Sequence, residues 1–308
     1  MTQQQQVQTM LEVRQTRKDL GVRRLITPPR RGVDSPLKRI FFHAILIFAA
    51  LIAVFPVIRV FSTALRPGNN LLSTSLDIIP KGATLDAFHR VLFDSGLPNW
   101  LFNSLAVTLG TSVVGLILAA TSAYAFSRYK FRGRALSLTF LFATQLIPGV
   151  MLLVPIYLLA IQLHLIGTYQ GLVVAYAVTA VPFSIWILKG YYDTIPVDLE
   201  EAARIDGCTE FQAFYKVLLP LSLPALAIVF LFDFLAAWGE YFTASLIIGS
   251  SEQLLTWPLG IQRFQAQFSS QWADLSASAI IVSIPIVILF VYVSKYLVSG
   301  LTLGGVKG

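Results

Sequence analysis

Cysteine is almost missing from this 308-residue chain: Cys208 stands alone, which excludes an intrachain disulfide and a thiolate metal cluster. Histidine is scarce as well. His43, His89 and His164 lie far apart with no partner at ligand spacing, so the sequence offers no metal centre. Charge is the third shortage. Only 13% of the residues are charged, about half the share usual in a soluble globular chain. The sequence also lacks a Gly-x-x-x-x-Gly-Lys-Ser/Thr phosphate loop. The terminal Gly304-Gly305-Val306-Lys307-Gly308 has the residue types without the strand and helix that would frame them, so no cofactor is expected on this chain. No nucleophile, base and oxyanion set presents itself either, which argues against a membrane enzyme. The first 39 residues hold no apolar core, so no cleaved leader is expected there.

What the chain has in excess is apolar surface. Hydrophobic residues make up 56% of it, more than a water-soluble core of this size can hide. Six runs approach the roughly 20 apolar residues that cross a bilayer: Ile40–Ile58, Leu101–Phe126, Ala135–Leu163, Gly171–Leu188, Leu221–Ile248 and Leu275–Ser294. None alternates, and all are too long for strands. The expected fold class is therefore an all-α integral membrane protein with six transmembrane helices. Pro56, Pro148, Pro155, Pro182, Pro224 and Pro285 fall inside five of the runs and are candidates for kinks or hinges. Gly115 and Ala119 form a small-xxx-small pair suited to close helix contact.

Lys and Arg are distributed unevenly. Nine lie before the first run, four in Arg128–Arg134, and more in the loop after the fourth run and at the C-terminal end, eighteen in all. The opposite loops carry four: Arg66, Lys81, Arg90 and Arg263. This asymmetry places both termini of a multi-pass protein in the cytoplasm. The net charge of +7 is then mainly an orientation signal, and its partner is the lipid headgroup. Nucleic acid is not indicated, because no aromatics interleave the basic residues.

The loop between the fourth and fifth runs differs from the others. Pro196 and the acidic residues after it suit a helix start, Gly207 a left-handed helix end, and Thr209 with Gln212 a capping box for a second short helix. The expected result is a helix-turn-helix at the membrane surface. One side carries Leu199, Ala202, Ala203, Phe211 and Phe214, the other Glu200, Glu201, Arg204, Asp206 and Glu210. Physically it is a docking surface for another protein or a solvated amphipathic linker.

This loop resembles the membrane subunits of binding-protein-dependent ABC importers. Their motif of Glu-Ala-Ala, Gly and a terminal Ile-x-Leu-Pro is matched by Glu201, Ala202, Ala203, Gly207, Val217, Leu219 and Pro220, with Val217 in place of Ile. Asn103-Ser104, the Arg128–Arg134 cluster and Trp238-Gly239-Glu240-Tyr241 look like the carbohydrate-uptake branch, and the run Gly300–Gly308 like the maltose-type smaller permease subunit (MalG-like). The resemblance implies a type I importer permease fold with a coupling helix around Glu201 and Asp206. It implies a homologous second permease, two cytoplasmic ATPase subunits holding ATP and Mg, and an extracellular sugar-binding protein. It also implies that the tail at Gly304, Gly305 and Lys307 reaches toward the ATPases, and that maltodextrin or another oligosaccharide is the cargo. The implied organisation is a basic segment at 1–39, a first span and loop at 40–98, a five-helix transmembrane domain at 99–296 that contains the coupling loop 193–220, and a tail at 297–308.

A rival reading starts from Asp233 and Glu240. Seven residues apart in the fifth run, they would face one side of a helix, and ionisable groups in a membrane are costly and often functional. Such a pair suits a proton-coupled secondary transporter. With Trp238 they are also candidates for the translocation path.

Overall fold

A computed structural model describes residues 36–69, 77–248, 251–265 and 271–304. The basic segment before Pro36, and Gly305 and Lys307 of the tail, lie outside the described residues, and Gly304 is the last of them. The chain divides after Ser62 into two units. The first is represented by the greater part of α1 (Pro36–Ala64), an apolar helix of 29 residues with exposed side chains such as Phe48 and Leu51.

In the second unit the residues form α2 (Asp86–Phe93), α3 (Leu97–Arg128), α4 (Arg134–Thr144), α5 (Gly149–Gln162) and α6 (Tyr169–Tyr192). Next come α7 (Asp198–Ile205), α8 (Glu210–Ala213), α9 (Leu223–Trp238), α10 (Phe242–Ile248), α11 (Trp257–Gly260) and α12 (Trp272–Gly304). No β-strand occurs among the described residues. Among the described residues four helices are long and apolar enough to cross a membrane, and counting each of two bent pairs as one span gives up to six.

Helices α3, α6 and α9 form the centre. The buried stripe of α3 is built of small or hydroxylated residues, among them Thr108, Thr111, Ser112, Gly115, Ala119 and Ala123. Such residues let helix backbones approach closely where lipid removes the hydrophobic drive between helices. At Gly115 a Cβ would stand 3.0 Å from Asp233 Oδ2, so the glycine leaves room for that carboxylate.

Two expected spans are broken. The run Ala135–Leu163 is two helices, α4 and α5, meeting at 105°. Pro148 has no N–H to continue the ladder and turns Ile147 away from helical geometry. The Gln145 side-chain amide beside the bend donates to the Thr179 carbonyl at 3.3 Å. The run Leu221–Ile248 starts at a bend: the segment Glu210–Leu221 meets α9 at 78° at buried Ser222, between Pro220 and Pro224. Helix α9 then stops at Trp238, and α10 begins four residues later. Glu240 therefore lies beyond the helix that carries Asp233.

The end of the bundle where α3 starts is closed by aromatic packing and polar ties. Trp100 meets Phe264 at 5.9 Å, and Phe234 stacks on Trp238 at 5.4 Å. Buried Asn103 donates to the Gln253 and Leu255 carbonyls at 2.8 and 2.9 Å and accepts from Tyr169 Oη at 2.7 Å. Ser104 Oγ accepts from the Trp257 amide at 2.8 Å. Arg90 of α2 grips Asp274 in the first turn of α12, with Nη2 2.7 Å from Oδ1.

The indole of Trp100 fills the space where a side chain at Gly260 would sit, and a Cβ there would overlap the ring. Gly260→Ala is expected to destabilise the bundle by about 1–3 kcal/mol through overpacking. Thermal unfolding of the purified protein should show the loss. Gly149→Ala, where an added Cβ meets nothing within 4 Å, should leave the midpoint unchanged.

Candidate functional site

The segment from Asp193 to Leu221, at the end of the bundle where α3 finishes, is shaped by local chemistry. Helix α6 ends at Tyr192, and α7 starts with Asp198, Glu200 and Glu201 in its first turn, which complements the helix dipole. Pro196 lies just before α7 rather than within its first turn. Gly207 takes φ +91°, the Cys208 amide donates to the Ala203 carbonyl at 2.9 Å and the Gly207 amide to Arg204 at 3.0 Å. This is a Schellman ending, which needs a residue without Cβ. Thr209 and Gln212 then cap α8 reciprocally, at 2.9 and 3.2 Å. A π turn over Phe214–Leu218 follows, with Phe214 and Leu218 buried against Tyr192 and Val229.

A buried ion pair fixes this hairpin to the bundle. Arg128, the last residue of α3, sets Nε 2.6 Å from Glu200 Oε1, and both side chains are less than a tenth exposed. Its remaining donors reach Ser127 Oγ and the carbonyls of Tyr192 and Ile195, each at 3.1 Å. The sequence pattern puts Glu200 on the polar, outward side, yet the structure turns it inward while neighbouring Glu201 stays exposed. No local signal separates the two glutamates, because the choice is made by a partner 72 residues away. A second tie joins Tyr129 Oη to Glu210 Oε2 at 2.8 Å. That hydrogen bond is the main cause holding the phenol above its usual pKa, with burial adding to it.

Turning Glu200 inward leaves an unusual outer face. Ile205 is 86% exposed and Phe211 69%, with Leu199 and Val197 also exposed. Glu201, Ala202, Asp206 and Gly207 are exposed beside them, and Ala203 is half-buried. Phe214, expected on the same apolar side, instead packs into the bundle. Val217 and Leu219 are half-buried and Pro220 is exposed, so the second half of the spaced pattern joins the hairpin to α9. Arg204 lies 3.8 Å from Glu201 and 3.7 Å from Glu210, loose surface pairs of little energetic weight.

Asp233, Trp238 and Glu240 occupy three different settings. Asp233 is buried at the centre, where Oδ1 accepts from Ser184 Oγ at 2.7 Å. Trp238 is buried near the opposite end. Glu240 accepts the amides of Thr243 and Ala244 at 2.9 and 3.0 Å and so caps α10. The two carboxylates are not brought together. Among the described residues no group of His, Cys, Asp and Glu is arranged to hold a metal ion.

Residues 112–302 match the family model described as binding-protein-dependent transport system inner membrane component. The chain is 34% identical over 276 residues to the galactooligosaccharides transport system permease protein GanQ of Bacillus subtilis (strain 168), covering 88% of this chain and 96% of that one. It is 35% identical over 280 residues to the maltose/maltodextrin transport system permease protein MalG of Vibrio parahaemolyticus serotype O3:K6, covering 85% and 93%. Its fold is similar to that of a chain in the crystal structure of a bacterial ABC transporter involved in the import of the acidic polysaccharide alginate. The TM-score there is 0.74 and the identity 26%, over 85% of this chain and 96% of that one.

Removing one partner of the buried pair should expose its value. Arg128→Met is expected to cost about 3–5 kcal/mol by leaving Glu200 buried and uncompensated, and Glu200→Gln less, because the amide still accepts. The double variant Arg128→Met/Glu200→Leu should recover part of the loss. Thermal unfolding, with limited proteolysis of the 193–209 segment, checks all three.

Proposed function

Because the chain belongs to the family of binding-protein-dependent transport system inner membrane components, we propose that it is one permease subunit of an ATP-driven carbohydrate importer, coupled to its motor through α7 and α8. Its cargo is a maltodextrin or another oligosaccharide. Relatives named for galactooligosaccharides and for maltose or maltodextrin match it almost equally, at 34% and 35%, which supports the class rather than one sugar. The observation that carries the coupling role is the hairpin itself. An exposed ridge of Leu199, Ile205 and Phe211 is mounted on a buried ion pair whose guanidinium also reaches Ser127, Tyr192 and Ile195. A solvated linker needs neither the ridge nor the rigid base.

In this reading the hairpin lies in the cytoplasm, as do both termini, and the protein spans the inner membrane. The bias of Lys and Arg toward that side supports the orientation. The ridge seats in one of two ATPase subunits, which bind ATP and Mg, and a homologous second permease completes the pathway. An extracellular sugar-binding protein delivers cargo to the opposite end, where Asn103 and Ser104 pin the 251–257 segment. The geometry of Asp233 and Glu240 gives no support to a proton-coupled carrier, since one is tied to Ser184 and the other caps α10.

Apolar anchors at the centre of an interface typically contribute 2 kcal/mol or more. Ile205→Asp and Phe211→Asp are therefore each expected to weaken ATPase association by about thirtyfold or more while the protein still inserts. Glu201→Lys and Gly207→Pro should uncouple or detach the motor, and a cysteine at Ala203 should cross-link to the ATPase in the parent only. Co-purification, cross-linking yield and ATP-driven sugar uptake in proteoliposomes test this. Normal transport in all four variants would remove the docking assignment.

Carrier chemistry is tested separately. With internal ATP, uptake should survive a protonophore, and Asp233→Asn and Glu240→Gln should retain substantial activity. Collapse with the proton gradient, together with two dead amide variants, would favour the secondary carrier.

A further inference from the structure

Helices α4 and α6 enclose a groove of about 260 Å³, lined by Leu138, Thr139, Phe142, Trp186, Lys189 and Gly190. On α4 Phe142 lies one turn beyond Leu138 and Thr139, and on α6 Lys189 and Gly190 lie one turn beyond Trp186, so each helix presents one face to it. Phe142 and Trp186 pack together partway along it, their rings 5.6 Å apart. Its open end is at Lys189 and Gly190, on the side where α4 starts.

The open end is basic. Lys189 is held 2.6 Å from Asp193, and Ser127 also donates to Asp193. Arg134, the first residue of α4, acts electrostatically on the same carboxylate. Lys130, Arg132 and Arg134 take part in no ion pair among the described residues, so this corner carries positive charge in excess of Asp193. An apolar trough with a tryptophan partway along and a cationic mouth matches the profile of one lipid class.

We propose that this groove is a binding site for an anionic diacyl phospholipid, with an acyl chain along Leu138, Phe142 and Trp186 and the phosphate at Lys189 and Arg134. The inference rests on the orientation proposed above, which sets the mouth of the groove at the cytoplasmic leaflet. Gly190 is what keeps the trough open. A Cβ built on it meets no atom within 4 Å, so the floor is empty space that a larger side chain would occupy. A helical glycine also gains from replacement, by about 1 kcal/mol, so a bulky residue there fills the groove without weakening α6.

The test uses the full complex in liposomes of phosphatidylcholine, with and without phosphatidylglycerol. A photo-reactive benzoylphenylalanine replaces Leu138, and mass spectrometry identifies the adduct. The expected product is a phosphatidylglycerol adduct, lost in Gly190→Leu. It should fall roughly fivefold in Arg134→Gln, the effect of one basic residue at a membrane surface. Arg134→Gln disturbs no described ion pair, which separates lost affinity from misfolding, and thermal unfolding of both variants checks that they fold. Capture of a second permease polypeptide would overturn the proposal and make the groove a protein interface. Phosphatidylcholine and phosphatidylglycerol captured alike, with no response to either variant, would overturn it in favour of bulk lipid. Neither result bears on ATP coupling, so failure here leaves the importer reading intact.

Discussion

The contact between Arg128 and Glu200 constrains everything at its end of the bundle. Two opposite charges are removed from water and held 2.6 Å apart, with the other guanidinium donors placed on oxygens of Ser127, Tyr192 and Ile195. Such a pair contributes little net stability, because desolvation offsets most of the attraction, but separating its members is heavily penalised. Its effect is geometric. The end of α3, the end of α6 and the first turn of α7 behave as one joint. Force applied to the exposed ridge passes to two spans at once instead of being lost in a loop.

Elsewhere in the bundle a few buried polar side chains act as ties between elements. In an apolar surrounding each hydroxyl or amide needs a partner, and each partner fixes a distance. Asn103 and Ser104 pin the 251–257 segment to the start of α3, Arg90 pins α2 to α12, and Ser184 pins α6 to Asp233 of α9. Between these ties the helices touch through small residues, which allow close approach and give little directional grip. The fold is thus spot-welded by side chains at both ends and at its centre, with smooth contact elsewhere.

The sequence displays the local chemistry clearly. The Gly207 ending, the Thr209–Gln212 box and four of the six apolar runs depend on neighbours within a few residues and appear in the structure as expected. The pattern of hydropathy is blind to backbone direction, so neither the 105° bend before Pro148 nor the 78° bend at Ser222 was legible as an angle. It also extended the fifth run past Gly239, because Phe242–Ile248 is as apolar as α9. The inward turn of Glu200 was hidden because Arg128 reads as one more member of a basic cluster. The twofold role of Asn103, donor to two carbonyls and acceptor from Tyr169, is likewise a matter of tertiary position.

The π turn at Phe214–Leu218 has a consequence of a different kind. The Leu219 amide reaches the Phe214 carbonyl, five residues back, so this turn holds more chain than an α-helical turn does. Whatever precedes it is rotated, relative to continuous α winding, by about the 100° that one residue contributes. Phe211 lies on that preceding side, three residues before the turn. With α7 tied to the bundle through Arg128 and Glu200, the bearing of Phe211 depends also on how many residues are wound into this turn. A lineage that dropped one residue here would wind continuous α-helix into α9 and turn Phe211 by about one residue's rotation.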